Sequence, residues 1–267
     1  MSQKVTDDLG RVLEYAYPPQ RIVSLCPSIT ETLLELGLGE QVVGRTRYCI
    51  HPADSVEEIK HVGGTKRPRL DDINALRPDL IIAEKEENRR EDVDKLEQDW
   101  PVYVCDVVDI TSALKMTRDL GMLCGVAQHG DELAQKISRK FIQLSRLKTP
   151  LKTGYLIWRK PWMAAGADTY IDDVLRRCGF INVFAGFQGR YPELTVEDIQ
   201  KAGIDLLMLS SEPYPFVDKH LEECSQLLPD ADIRLVDGEA FSWYGAHMLQ
   251  AADYLQTLIG QLNANRP

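Results

Sequence analysis

Aromatic side chains make up only 7% of this 267-residue chain, yet in its second half they gather beside positive charge. "YLIWRKPWMAAG" holds Trp158 and Trp162 around Arg159 and Lys160, "GRYPE" holds Tyr191 after Arg190, and "EAFSWYGAHM" holds Phe241, Trp243 and Tyr244. A single tryptophan at a strand end is ordinarily core packing. Three clusters at predicted strand–loop junctions describe walls for a large planar ligand, with a few polar groups to orient it. In the first half, "TRYCIHP" adds Tyr48, Cys49 and His51. Cys49 and His51 do not have a zinc spacing, and His61 lies beyond a charged helix. A loop histidine satisfied by its surroundings is expected there, not a protein-held metal. No GxSxG, HExxH, Walker A or GxGxxG motif occurs, and Ser210 and Ser211 beside Glu212 give a hydrolase reading little to stand on. These residues suit binding, and an enzyme is not expected.

Paired carboxylates are the second feature. "LDDINALRPDLIIAE" (70–84) and "VEDIQKAGIDLLMLS" (196–210) align without a gap, so Asp71 falls on Glu197 and Asp79 on Asp205, each 126 residues on. Helix N-termini favour carboxylates, which accounts for acids at these places. Two pseudo-symmetric lobes would also set Asp71 and Glu197 as matched anionic knobs on one side of the molecule, a pattern suited to a two-fold partner. Beyond the repeats, "EKEEN" (84–88) and "SSEPYPF" (210–216) place Glu86 and Glu212 at the same offset. Charged loops are usually solvated. The prolines around Glu212 fix its backbone, and loops past the carboxyl ends of strands line ligand crevices, which favours a cleft position for it.

The elements that must hold these residues are short apolar runs: 21–25, 41–46, 79–83 and 101–105, then 154–159, 205–210 and 232–237. Each is followed by a helical or polar stretch, as in parallel sheets covered on both faces. Between the halves, Leu114, Leu120, Leu123, Leu133, Ile137, Phe141 and Leu144 keep helical spacing through 111–148, with Gly121, Gly125 and Gly130 inside the run. One helix of about 35 residues would reach about 50 Å, longer than a lobe of this size, and predicts a strut. The expected fold is α/β: two similar α/β lobes with mainly parallel sheets, 1–110 and 149–267, joined by one long backbone helix within 111–148.

The formal net charge is −10, which offers no basic field for phosphate backbones and argues against nucleic acid. No apolar run is long enough to span a bilayer. "MSQKVTDDLGR" lacks an apolar h-region, pointing to the cytoplasm or to a chain whose signal has been removed. Six scattered cysteines without CxxC read as buried free thiols.

"PPQRIVSLCPSITETLLELGLGEQVVGRT", "HPADSVEEIKHVGGT", "LDDINALRPDLIIA", "YIDDVLRRCGFINVF" and "YPELTVEDI" follow one another in an order that resembles the substrate-binding proteins of ABC importers for cobalamin and iron–siderophores. The resemblance covers about residues 19–259. It implies two lobes bridged by one long helix, little closure on binding, a monomer, and a periplasmic or other extracytoplasmic role. It also implies that Asp71 and Glu197 engage arginines of the dimeric permease, Asp71 standing where glutamate is usual. Among its members the chain looks similar to the cobalamin binders, whose aromatic contacts, by this resemblance, fall near Tyr48, Thr65 and Tyr191; at Thr65 they have tryptophan. The expected ligand, a corrinoid or an iron chelate, fills the inter-lobe cleft against Tyr48, His51, Thr65, Trp158, Arg159, Trp162, Tyr191, Glu212, Trp243 and Tyr244, with no cofactor of the protein's own. An iron–siderophore or haem is the alternative that Arg159, Lys160 and Arg190 would suit as an anionic chelate. A cytoplasmic tetrapyrrole chaperone or chelatase-like enzyme is the alternative of another class.

Overall fold

The structure is a computed structural model that describes residues 1–264. The chain is α/β and folds into two compact units, one of Met1–Val107, Thr111–Arg139 and Trp243–Met248, the other of Val108–Ile110, Lys140–Ser242 and, among the described residues, Leu249–Ala264.

The first unit opens on a hairpin that the apolar runs do not reveal, β1 (Ser2–Thr6) and β2 (Val12–Ala16), whose residues alternate between solvent and protein. There follow β3 (Ile22–Ser24), α1 (Pro27–Glu35), β4 (Val42–Arg45), α2 (Ala53–Val56), α3 (Leu70–Leu76), β5 (Leu80–Glu84), α4 (Arg90–Leu96) and β6 (Val102–Cys105). The last four strands form a parallel sheet ordered β4-β3-β5-β6. Both faces of that sheet are covered, so β5 and β6 are buried at every position, which is why they read as unbroken apolar runs.

The expected single helix over 111–148 is two helices, α5 (Ile110–Leu123) and α6 (Ala127–Gln143). Gly125, at φ 80°, ends α5 in the left-handed conformation that glycine adopts without penalty. Gly121 and Gly130 then let the two backbones cross in contact, since a Cβ on either would lie 2.9–3.0 Å from the other's Cα. The apolar spacing runs through the break because both helices bury the same stripe, Leu120, Leu123, Leu133 and Ile137 among it. The boundary between the units falls inside α6, between Arg139 and Lys140.

The second unit comprises β7 (Leu151–Trp158), β8 (Trp162–Ala164), α7 (Tyr170–Cys178), β9 (Phe180–Asn182), β10 (Glu193–Leu194), α8 (Val196–Lys201), β11 (Leu206–Ser210), α9 (Asp218–Leu227), β12 (Asp232–Val236), α10 (Glu239–Ser242) and α11 (Met248–Ala264). Strands β9, β7, β11 and β12 run parallel, and β8 and β10 add an antiparallel edge.

The internal repeat does equivalent work in each unit. Ile73 on α3 and Ile199 on α8 are both buried, in cores that also hold Ile81 and Leu207 respectively. Asp79 accepts the backbone N–H groups of Gln20 and Arg21 before β3, and Asp205 accepts that of Lys152 in β7, so each acid aligns the neighbouring strand.

Residues 149–267 do not form one lobe. Trp243–Met248 return to the first unit, where the backbone N–H of Tyr244 donates to Ser28 Oγ and that of Ala246 to Thr32 Oγ1, both on α1. Gly245 sits at φ 71°, and a Cβ there would overlap the Thr32 hydroxyl. Gly245→Ala is therefore expected to cost about 2 kcal/mol or more of stability in a denaturant melt. An unchanged melt would mean that this segment is not held as described.

Candidate functional site

The carboxyl ends of the first unit's strands carry a continuous polar and aromatic rim. Past β4, Tyr48 lies exposed with its ring edge over Gly64 and the Arg47 guanidinium 4.8 Å from its centroid. Next to Gly64, the Thr65 hydroxyl donates to the Glu87 carboxylate beyond β5. Glu87 in turn faces Cys26 at the start of α1, and the Cys26 thiol is 3.5 Å from the Tyr244 hydroxyl. Trp243 follows, its ring 5.3 Å from His51 and 5.2 Å from His247, while His51 and His247 lie 5.6 Å apart. Glu31 holds His247 from below at 3.1 Å from Nδ1. The fold thus joins Tyr48, His51, Thr65, Trp243 and Tyr244, although Trp243 and Tyr244 come from the far end of the chain.

Two side chains knit the loops beneath this rim. Asn88 accepts the N–H of Glu84 and donates to the carbonyls of Leu25 and Thr65. Glu84 accepts the N–H groups of Glu86 and Glu87 on one oxygen and that of Val107 on the other. Burial pushes the Glu84 carboxyl up to about 7, against the pull of those N–H groups and aided by the charge of Glu87. Burial likewise raises Glu87, opposed by Lys66 and the Thr65 hydroxyl, and pushes the Cys26 thiol and Tyr244 phenol well up, so both stay neutral near pH 7. Of these groups, only Thr65 and Tyr244 are visible as candidates in the sequence. Glu87 is one acid in a charged run, and Glu31 is one acid on a helix, until the fold places them.

The second unit has its own aromatic group at the carboxyl ends of β7 and β11. Trp158, more than a third exposed, meets Tyr214 edge-on at 5.6 Å, and Trp162 lies parallel to Phe216 at 6.3 Å. Arg159 stands 5.6 Å over the Trp162 ring, and two hydrogen bonds of 2.7 and 2.8 Å tie it to Glu223, which they hold below the usual carboxylate range. Its charge is therefore compensated inside the unit. Glu212 accepts from the Ser242 hydroxyl at 2.6 Å. β10 runs antiparallel to β8 with Leu194 opposite Trp162, and Tyr191 precedes β10, three residues before that pair. Beside it, Arg190 lines a cavity of about 500 Å³ with Asp109, Asp168, Asp172 and Arg176. The sequence signal for Tyr214, Phe216 and Glu223 was the aromatic "SEPYPF" run and an acid on α9, neither distinctive by itself.

The repeated acids separate by role. Asp72 is bound by Arg69, and Asp198 closes a capping box with Thr195; both are held below the ordinary carboxylate range by those hydrogen bonds. Asp71 is exposed, and Glu197, its side chain 71% exposed, meets only Lys201 one turn on, among the contacts described. Asp198 thus caps α8, whereas Asp72 pairs with the Arg69 side chain and α3 has no side-chain cap; the first acid of each pair, Asp71 and Glu197, is exposed.

All six cysteines are buried and free. Among the described residues, no three His, Cys, Asp or Glu side chains gather as a metal site, and no helix is long and apolar enough to cross a membrane.

Two units of parallel sheet with binding-type side chains at their carboxyl ends define a solute-binding protein, and the chain belongs to the periplasmic binding protein family, whose model matches residues 22–224. The vitamin B12-binding protein of Vibrio cholerae serotype O1 is 28% identical over 196 residues, 70% of this chain and 69% of its own. The vitamin B12-binding protein of Yersinia pestis is 25% identical over 202 residues, 73% of this chain and 71% of its own. Among solved structures, the periplasmic vitamin B12 binding protein BtuF of Vibrio cholerae superposes with a TM-score of 0.76 at 20% identity, covering 94% of this chain and 99% of that one. The periplasmic heme-binding protein RhuT from Roseiflexus sp. RS-1 gives 0.78 at 22% identity, covering 92% and 98%. At these identities the two structures share the fold.

Proposed function

We propose that this protein binds a corrinoid, or a comparable metal chelate, and delivers it to an ABC importer. The observation that carries the reading is the rim of the first unit, where an exposed tyrosine, a tryptophan–histidine group and a carboxylate bonded by the Thr65 hydroxyl line the carboxyl ends of one parallel sheet. Flat rings with few polar groups suit a large planar ligand. With no three-ligand cluster among the described residues, the metal would arrive inside its chelate. The B12-binding names of the sequence relatives support a corrinoid. Haem is the second reading, favoured by the name of a structural neighbour. The compensation of Arg159 by Glu223 removes one of the charges that an anionic siderophore would use.

Docking is assigned to Asp71 and Glu197, whose equivalent places in two repeats suit a two-fold permease. The direct test of the ligand is titration with cobinamide, cobalamin, haemin and a ferric siderophore while following tryptophan fluorescence. Micromolar or tighter binding of at least one corrinoid is expected. Millimolar or weaker binding of every chelate would refute the reading.

A further inference from the structure

We infer that Glu87 selects the ligand, admitting chelates whose periphery carries carboxamides and opposing those that carry carboxylates. The inference rests on the proposed chelate-binding function and narrows it to corrinoids over haem. Glu87 is half-buried in the first unit's rim, between Thr65 and the Cys26–Tyr244 pair. The Thr65 hydroxyl donates to it, the buried Cys26 thiol and Tyr244 phenol beside it carry no charge near pH 7, and the nearby carboxylates of Glu84 and Glu86 add no positive charge. Among the described residues, the cation that acts on it is Lys66, whose ammonium donates to the carbonyl of Glu86, so that charge is anchored along the loop.

A carboxylate in this setting accepts hydrogen bonds from amide N–H groups, and such bonds to a charged acceptor are the stronger kind. A second carboxylate brought against it meets like-charge repulsion in a partly desolvated place, and specificity of this sort comes from the repelled competitor as much as from the favoured ligand. A corrin ring is edged with carboxamides, whereas haem carries two propionates.

The test compares aquocobinamide with haemin, by fluorescence quenching at pH 7.5, on the wild type, Glu87→Gln and Glu86→Gln. Gln keeps the size of Glu87 and an oxygen for the Thr65 hydroxyl, so the fold should persist, checked by the melting curve. The wild type should prefer cobinamide. Glu87→Gln should strengthen haemin about tenfold and change cobinamide less than threefold, while Glu86→Gln should leave both unchanged. If both chelates bind and Glu87→Gln leaves their ratio unaltered, the role of Glu87 is wrong and the chelate-binding function stands. If neither chelate binds the wild type or the variant, both fall together.

Discussion

Asp71→Ala combined with Glu197→Ala is expected to abolish permease binding and chelate uptake while the melting temperature and chelate affinity stay where they were. Neither carboxylate has a folding task among the described contacts. The acid that caps α8 is Asp198, in its box with Thr195, and the double variant keeps it, as it keeps the Asp72–Arg69 pair. Glu197 meets Lys201 across an exposed turn, a type of pair that contributes little. Across an interface the same charges count for more, because pairing with arginine sets register and speeds encounter. Asp198→Ala is the matched control and should behave in the opposite way, lowering the melting temperature through loss of the cap and sparing docking. The measurements are co-purification with the permease, uptake into vesicles and a thermal melt. A double variant at 71 and 197 that docks and transports normally would reduce the repeat to a trace of duplication.

Tyr48→Ala is expected to weaken chelate binding by about tenfold or more. Its ring is over a third exposed and rests on Gly64. A ring that stacks on a ligand contributes about 1 kcal/mol beyond the area it buries, and 1.4 kcal/mol is a factor of ten in affinity. Being exposed, it can be removed at little cost to the fold, so a loss of affinity reports the ligand contact. Trp243 would not give so clean a result, because it is buried against His51 and His247 and its removal would leave a cavity. Unchanged affinity in Tyr48→Ala would place the ligand away from this rim.

Much of this protein is legible in its sequence because the physics there is local. Continuous apolar runs such as "DLIIA" and "DLLML" announce strands buried on both faces, and they are β5 and β11. The constant offset of the repeats identifies equivalent residues, and the buried pair Ile73 and Ile199 and the strand-aligning pair Asp79 and Asp205 behave as equivalents. The polar hairpin β1–β2 escapes such a reading because half of its alternation faces water and no apolar run marks it.

Only the tertiary structure decided the rest. Apolar spacing alone cannot distinguish one long helix from two that bury the same stripe; the close crossing of Gly121 and Gly130 makes that distinction. Sequence distance placed Trp243 and Tyr244 with the second lobe, whereas hydrogen bonds to Ser28 and Thr32 bring the segment back onto α1. Glu87 became a candidate for selectivity only when the sheet set its loop beside Thr65, Cys26 and Tyr244, since burial and neighbours are properties of the packed chain and not of a charged run.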